Sequence, residues 1–144
     1  MSTITQSSSV DFLGAAVRIL TSGEENDGRL GLVHMDVPAG HQTPLHVHRQ
    51  EDEGFYLLGG EVTLYLPGRS IKLGAGDFFL APRGVPHTYD TGPDGARVLV
   101  SSTPAGFERF VLDVAALEQV DPASLTAVAA EHDIGILGPP GARP

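Results

Sequence analysis

Short apolar runs separated by glycine and proline set the strongest limit on what this chain can fold into. The 144 residues include 18 Gly and 11 Pro, which divide the sequence into β-prone runs with turn signals between them. The candidate strands are Ala16–Leu20, Leu30–Val37, Thr43–Val47, Gly54–Leu58, Glu61–Leu66, Ser70–Leu73, Asp77–Ala81, Pro86–Asp90, Ala96–Thr103 and Phe107–Val114. Many short strands at near-even spacing, with no long helix between them, predict an all-β sandwich or barrel.

Residues 121–133 are the exception to this β pattern. Asp121 is a candidate N-cap, and the proline that follows it suits the first helical position. Leu125, Val128 and Ala129 then recur at the spacing of one helical face. These features predict one amphipathic helix of about three turns.

The length of the chain is that of one ordinary domain. We therefore predict a single domain over residues 1–144, with a barrel over about 12–114 and a helical tail over 121–133. The closing residues 138–144, GPPGARP, are expected to be a loose end, because proline and glycine disfavour both regular structures.

Composition excludes several classes of function. A formal net charge of −9 argues against nucleic-acid binding, which needs a basic face to contact phosphates. The absence of cysteine excludes disulfides, iron–sulfur clusters and thiolate zinc sites. No apolar run approaches the roughly 20 residues that span a bilayer, and the start, MSTITQSSSV, lacks the regions of a signal peptide. We expect a cytoplasmic protein without membrane contact, in which nitrogen and oxygen ligands hold any metal.

Residues 40–60, GHQTPLHVHRQEDEGFYLLGG, contain three of the six histidines of the chain. His46 and His48 are two residues apart, so an extended chain presents both imidazoles from one face, as a strand does for two ligands of one ion. Alone, this H-x-H is a weak signal, because six histidines placed at random would produce one roughly a quarter of the time.

A wider spacing pattern is more specific. It reads G-x5-H-x-H-x4-E-x6-G and, after a short gap, G-x5-P-x-G-x2-H. Its defined positions are Gly40, His46, His48, Glu53, Gly60, Gly76, Pro82, Gly84 and His87. Both stretches resemble the two motifs of the cupin superfamily, and the chain looks like the small single-domain cupins of actinobacterial polyketide pathways. The departure is Thr91, where an asparagine often closes the second motif. The resemblance implies a double-stranded β-helix (a jelly-roll barrel) with a short C-terminal helix.

The resemblance also implies one divalent metal ion bound by His46, His48, Glu53 and His87. Three neutral imidazoles and one carboxylate leave positions on an octahedral ion open for water or substrate. This nitrogen and oxygen set suits Zn, Fe, Mn, Ni or Cu, and we expect zinc. The alternative is a cupin that has lost its metal and keeps a hydrogen-bonded Glu–His polar core.

The neighbouring acids and the remaining histidines are expected to contribute less. Glu51 and Asp52 are predicted to lie on a solvated face. His34, on the strand before the first motif, is either an ordinary histidine or a side chain aimed into the barrel as a base or an additional ligand. His41, on a turn, is expected to be exposed, and His132, beside acids on the tail helix, is expected to be structural.

Counting by two along the motif strands predicts the walls of a pocket. From Glu53 this places Phe55 and Leu57 on the ligand face, and from His87 it places Tyr89 there. The further candidates are Met35, Phe110 and a member of the pair Phe78 and Phe79. Plain core packing explains each residue singly. Together they form a largely apolar cup, which suits a small hydrophobic, oxygenated substrate of polyketide or flavonoid type.

Three functions remain open. The preferred one is a metal-dependent cyclase of an aromatic polyketide, in which the ion polarises poly-β-ketone carbonyls for aldol-type closure and bound water, Tyr89 or His34 handles protons. The second is a quercetinase-like ring-cleaving dioxygenase that uses Fe, Mn, Ni or Cu, with Glu53 as the base. The third is a non-catalytic small-molecule-binding cupin. Cupins of this type commonly pair as dimers, so we expect a homodimer in which Val10–Leu20 covers a sheet edge of the partner.

Overall fold

A computed structural model describes residues 8–144 of the chain. The strands are β1 Val10–Phe12, β2 Ala15–Thr21, β3 Gly31–Val37, β4 Pro44–His48, β5 Asp52–Leu66, β6 Arg69–Gly74, β7 Phe78–Ala81, β8 Thr88–Thr103 and β9 Ile134–Pro140, and the helices are α1 Phe107–Ala115 and α2 Pro122–Glu131. This architecture confirms the predicted all-β fold class with helical structure near the C-terminus. Within the described residues, no helix is long and apolar enough to cross a membrane.

Two antiparallel sheets make up the barrel. The larger sheet has the order β1-β2-β3-β8-β5-β6, with β7 paired to β5, and the smaller sheet pairs β4 with β9. Isolated bridges join His46 to His87 and Gln42 to Asp90. The two sequence motifs therefore meet where the small sheet meets the start of β8.

β5 and β8 are each longer than the sequence predicts. The predicted strands Gly54–Leu58 and Glu61–Leu66 join into β5, and Pro86–Asp90 and Ala96–Thr103 contribute to the continuous β8. The register between β5 and β8 shifts on both sides of Gly60, which has a φ of 72°. The glycine is therefore used for a β-bulge within one strand rather than for a turn between two.

The prediction of a strand over Phe107–Val114 is wrong, because these residues belong to helix α1. The side chains buried by this helix include Phe107, Phe110, Val111 and Val114. Their spacing of three, four and seven residues is that of one helical face. Packing of this face against the barrel outweighs the β-prone composition of the segment.

The prediction of a loose end over 138–144 is also wrong in part, because β9 runs to Pro140 and pairs with β4. β9 has β4 as its partner in the two-stranded sheet, so its prolines lie in an edge strand, where a missing N–H is tolerated. The predicted helix over 121–133 is confirmed as α2, which Asp121 and Ser124 begin with a reciprocal capping box.

The core lies between the sheets and under α1. Along β3, the buried residues are Val33, Met35 and Val37, which alternate with more exposed neighbours as a strand with one face inward requires. β1 pairs with β2 of its own chain. The expectation that this N-terminal segment covers a partner subunit stays a prediction.

Candidate metal centre

Three parts of the chain bring four polar side chains together. His46 and His48 lie on β4, Glu53 lies near the start of β5, and His87 immediately precedes β8. The bridge between His46 and His87 fixes the second motif against the first. His48, Glu53 and His87 are each at most 3% exposed, whereas His46 is half-buried.

The candidate ligand atoms of these four residues all lie within 4.8 Å of one another. Oε2 of Glu53 is 3.0 Å from Nε2 of His48, and its Oε1 is 3.3 Å from Nε2 of His87. The ring centroids of His46 and His87 are 4.5 Å apart. These separations are close to those required around one ion with bonds of about 2.0–2.2 Å.

The outer nitrogen of each histidine contacts an acceptor. Nδ1 of His46 lies 2.7 Å from the carbonyl oxygen of Pro44, and Nδ1 of His87 lies 3.3 Å from that of Val85. Nδ1 of His48 lies 3.2 Å from a carboxylate oxygen of Glu51. An Nδ1–H that donates to each acceptor leaves the three Nε2 lone pairs free to face the centre of the cluster.

The cluster fits a divalent metal ion. Nε2 of His48 and Oε2 of Glu53 face each other without the alignment of a hydrogen bond, and within the described residues both atoms are buried without a hydrogen-bond partner. Buried polar atoms of this kind are costly unless a partner satisfies them. Nitrogen and oxygen ligands suit borderline and hard cations. These residues can therefore hold a metal whose identity the donor set leaves open.

The electrostatics of the cluster are strongly coupled. Burial acts to lower the pKa of His48, but the charge of Glu53 and the contact with Glu51 raise it to about 10. Burial acts to raise the pKa of Glu53, but His48 and His87 hold it well below its usual range. Desolvation, followed by repulsion from His87 and His48, lowers the pKa of His46 to about 3. The metal-free cluster therefore keeps a proton on His48, which an incoming cation must displace.

A narrow apolar cavity opens onto the cluster. It has a volume of about 50 Å³, and His46, His48 and Glu53 lie in its polar wall. The side chains opposite and around this wall are Phe12, Leu13, Met35, Phe55, Tyr89, Val100, Phe107, Phe110, Leu125, Ile134 and Ile136. The polar groups of this cavity are therefore concentrated on one side of otherwise largely apolar walls.

Three of the predicted pocket residues lie on the cavity wall, together with Tyr89. Met35, Phe55, Phe110 and Tyr89 line the cavity. The remaining predicted pocket residues do not: Leu57 is fully buried in the core, Phe79 is half-buried beneath Arg69, and Phe78 is 59% exposed. On β7 only alternate residues face inward, so Phe78, whose inward placement was an open alternative, points to solvent.

His34 is not part of the cluster. On β3 it points away from the core, since Val33 and Met35 on either side of it are buried. It belongs neither to the group of possible metal ligands nor to the cavity wall. The reading of His34 as a base or an additional ligand is therefore wrong, for the simple reason that strand alternation turns it outward.

Two further expectations need correction. His41 is not exposed: it is half-buried, its Nε2 lies 2.6 Å from the carbonyl oxygen of Leu13, and its ring stacks on Tyr89. Glu51 is not solvated but 6% exposed. Asp52 does face solvent, where it pairs with Arg83, and His132 pairs with Asp113 at the end of α2.

Sequence reasoning missed Glu51 and most of the C-terminal wall of the cavity. Glu51 precedes β5, but it is buried and, like Glu53, contacts His48. Besides the predicted Phe110, the wall residues from the C-terminal segment are Phe107, Leu125, Ile134 and Ile136. For α1 the signal was present as the helical spacing of its apolar residues, whereas the pairing of β9 with β4 has no comparable local signature.

Comparisons with known proteins agree with this geometry. A family model described as a cupin domain matches residues 33–102. The chain is 30% identical over 93 residues to a quercetin 2,3-dioxygenase from Bacillus subtilis, a match that covers 65% of this chain and 28% of that protein. The chain therefore spans about 28% of the length of this curated relative.

Solved structures extend the comparison. The polyketide cyclase RemF from Streptomyces resistomycificus is 28% identical, with a TM-score of 0.56, and the match covers 69% of this chain and 73% of that one. A nucleoside dehydratase from Streptomyces matches with a TM-score of 0.61 at 17% identity, over 76% of this chain and 87% of that one. At that identity the second match supports the fold alone.

Proposed function

We propose that this chain, whose residues 33–102 match the cupin-domain family model, is a metal-dependent cyclase of an aromatic polyketide. The observation that carries the proposal is the opening of the buried cluster onto a cavity with otherwise apolar walls. Such walls suit a flexible carbon chain bearing ketones rather than a sugar or a phosphate. The 28% identity to a polyketide cyclase adds support.

The polar side of the cavity would bind one divalent ion through His46, His48, Glu53 and His87, and we propose zinc. When bound, such an ion supplies a Lewis acid that polarises a ketone oxygen and acidifies the neighbouring carbon. The apolar side chains contribute orientation: they hold two parts of one substrate chain close to each other while excluding water. Holding reacting groups in position accelerates such closures strongly.

Tyr89 is the proton donor in this proposal. Its side chain is 7% exposed and lines the cavity. Burial, and secondly the negative charge of Glu53, raise the pKa of its phenol. The hydroxyl therefore stays protonated at neutral pH and acts as a hydrogen-bond donor rather than as a base. An aldol closure places negative charge on the oxygen of the attacked ketone, which is where such a donor is needed.

The size of the cavity bears on how a substrate enters. A volume of about 50 Å³ is far below the roughly 300–1,000 Å³ of sites for drug-sized ligands. A polyketide long enough to form several rings is larger than this cavity. Its entry therefore requires an outward movement of the C-terminal wall, which is formed by α1, α2 and β9. Loops and terminal elements that close over a site commonly serve this purpose.

A ring-cleaving dioxygenase is the second candidate, and the observation that favours it is the 30% identity to a quercetin 2,3-dioxygenase. The same four ligands accommodate Fe, Mn, Ni or Cu. The two candidates differ in the metal they require and in their use of oxygen. They do not differ in fold, because cupins carry out many reactions.

One experiment separates these functions. Purified protein is analysed for metal, reloaded with each candidate ion, and assayed both for oxygen uptake on a flavonol and for the ring pattern of products from a poly-β-ketone made in situ. The cyclase proposal expects stoichiometric zinc, no oxygen uptake, and a product whose ring pattern changes with the protein present. Tyr89→Phe is expected to slow this cyclisation about 100–10,000-fold while zinc content stays constant. A redox metal with oxygen consumption would contradict the cyclase proposal.

A further inference from the structure

We propose that Glu51 is a positioning residue: its buried carboxylate fixes the ring and the tautomer of His48 so that Nε2 points at the metal. This inference rests on the metal centre of the proposed function. It adds a residue that lies within the first motif but is not one of its defined positions. It concerns metal binding itself, so it does not depend on which reaction the cupin performs.

The contact between the two side chains is direct and buried. Oε1 of Glu51 lies 3.2 Å from Nδ1 of His48, and the two residues are 6% and 3% exposed. A carboxylate only accepts hydrogen bonds, so the contact places a hydrogen on Nδ1 of His48. With Nδ1 in use, Nε2 is the nitrogen left for the centre of the cluster, where it faces Glu53.

His48 differs from the other two histidines in how its ring is held. The acceptors for His46 and His87 are main-chain carbonyls of Pro44 and Val85, which no substitution removes. Among the described residues, the acceptor for Nδ1 of His48 is a side chain. The orientation of this one ligand therefore depends on the identity of a single residue.

The surroundings of Glu51 hold its carboxylate in place. A Cβ on Gly106 would overlap Oε2 of Glu51, so the absence of a side chain at Gly106 makes room for the acid. Gly106 immediately precedes α1, and the N-terminal end of a helix favours a negative charge nearby. Its φ of 167° is extended backbone that any residue adopts, so only space explains the need for glycine here.

Metal affinity tests the inference without an assay of activity. Glu51→Ala should weaken zinc binding about 10–100-fold, the usual cost of losing a partner that orients a metal-binding histidine. Glu51→Gln retains an oxygen that accepts from Nδ1–H, so its loss should be smaller. Gly106→Ala, which pushes the carboxylate away, should resemble Glu51→Ala. Asp52→Asn, at the adjacent solvent-facing acid, is the matched control and should bind zinc as the unaltered protein does.

A spectroscopic measurement distinguishes positioning from general stabilisation. In zinc-loaded unaltered protein, the Nδ1–H proton of His48 should give a downfield, slowly exchanging NMR signal, which Glu51→Ala loses while the signals of His46 and His87 persist. Cobalt-substituted Glu51→Ala should also show an altered absorption spectrum. Zinc affinity within about twofold of the unaltered protein, or an unchanged His48 signal, would overturn the proposal.

Two complications leave the test decisive. If Glu51→Ala does not fold, Gly106→Ala and Glu51→Gln must reproduce the affinity order, and failure of that order rejects the inference. If the unaltered protein binds zinc but does not cyclise a poly-β-ketone, the proposed function fails while the role of Glu51 is still measured. If all Glu51 variants bind zinc normally and cyclisation proceeds, the positioning role of Glu51 is rejected while the proposed function stands.

Discussion

The two sides of the cavity differ in origin and in role. The barrel side carries the four polar ligands and lies within the segment that matches the cupin family, residues 33–102. The opposite side is formed by the cap, which we define as residues 107–140 and which comprises α1, α2 and β9. The cap lies wholly outside the matched segment and supplies only apolar side chains to the cavity. Under the proposed function, the barrel supplies the reactive groups, and the cap sets the size and shape of the substrate.

The two sides are nevertheless joined at the ligand strand. In the register between β4 and β9, His46 lies opposite Ile136 and His48 lies opposite Ile134. The cap strand therefore pairs with the backbone of two proposed ligands while its side chains line the cavity. If the two sides act separately, a substitution on one side should leave the role of the other side unchanged.

The largest effect is expected from His48→Ala on the barrel side. Removing a direct ligand should cost more metal affinity than the roughly 10–100-fold lost with a supporting hydrogen bond, and activity should disappear with the metal. Zinc content and cyclisation rate of the purified variant measure both. The cap remains intact, so the fold should persist by circular dichroism.

His34→Ala is the matched control for this change. His34 lies on the outer face of β3, so its removal should leave zinc content and rate unchanged. Full zinc occupancy in His48→Ala, or loss of zinc in His34→Ala, would show that the ligand set described here is wrong.

On the cap side, Phe110→Ala is expected to act on stability rather than on metal. Phe110 is 5% exposed, and its ring packs edge-on against those of Phe12 and His132. Removing such a side chain costs about 3–5 kcal/mol of the free energy of unfolding and enlarges the cavity. Denaturant unfolding measures the loss, and zinc affinity of the folded fraction should be unchanged.

Leu112→Ala, on the exposed face of the same helix and 42% exposed, is the control and should shift stability by no more than about 0.5 kcal/mol. If Phe110→Ala lowers zinc affinity tenfold or more, the separation of roles between barrel and cap is broken.

The same contrast explains what the sequence predicts. The barrel side can be predicted from the sequence because the proposed ligands have a fixed spacing. In addition, side chains along a strand point alternately outward and inward. That rule predicts Phe55 and Tyr89 on the ligand face, and both side chains line the cavity. It also accounts for the outward direction of His34. At the start of β5, Asp52 faces outward and Glu53 inward, as the same rule requires. Glu51 precedes the strand, so the rule does not predict its burial.

The secondary structure of the cap cannot be predicted in the same way, because it depends on contacts with residues that are distant in sequence. Phe107–Val114 has a composition that suits a strand, and only its burial against the barrel selects the helix. Residues 138–140 contain two prolines and acquire a strand conformation from pairing with β4. Register with a remote partner leaves little trace in a local sequence pattern.

The third prediction concerns the protonation of His48, which lies where the barrel strand β4 pairs with the cap strand β9. The pKa of His48 in the metal-free protein is raised to about 10, so at pH 7.5 this residue carries a proton that zinc must displace. His46, with its pKa lowered to about 3, has none to lose at this pH. Zinc uptake should therefore release about one proton, and affinity should rise about tenfold per pH unit. Calorimetry in two buffers of different protonation enthalpy counts the protons.

The raised pKa of His48 also determines how the free energy of unfolding of the metal-free protein changes with pH. A pKa raised in the folded state means that the stabilisation of metal-free protein by protonated His48 is full below pH 6.5 and is lost as pH rises towards 10. Zinc-loaded protein should show no such loss in this range. Binding without proton release would contradict the protonation assigned to the cluster.

The smallest effect is expected from Asp121→Ala, which removes the N-cap of α2. Asp121 accepts a hydrogen bond of 2.8 Å from the backbone N–H of Ser124, while the Ser124 hydroxyl accepts one of 3.0 Å from the N–H of Asp121. Loss of such a cap costs about 1 kcal/mol. Because the capping box is exposed at the surface of the cap, zinc affinity and the His48 signal should not change.

The informative measurement for this variant is hydrogen exchange rather than the melting temperature alone. If the cap opens as a unit of its own, as entry of a large substrate requires, Asp121→Ala should speed exchange in α2 and β9 while β5 and β8 keep their protection. Pro122→Ala, which leaves the carboxylate cap in place, serves as the control at the adjacent position. Equal acceleration of exchange in β5 and β8 would mean that barrel and cap open only together, and a polyketide-sized substrate would then have no local route past Ile134 and Ile136 to the cluster.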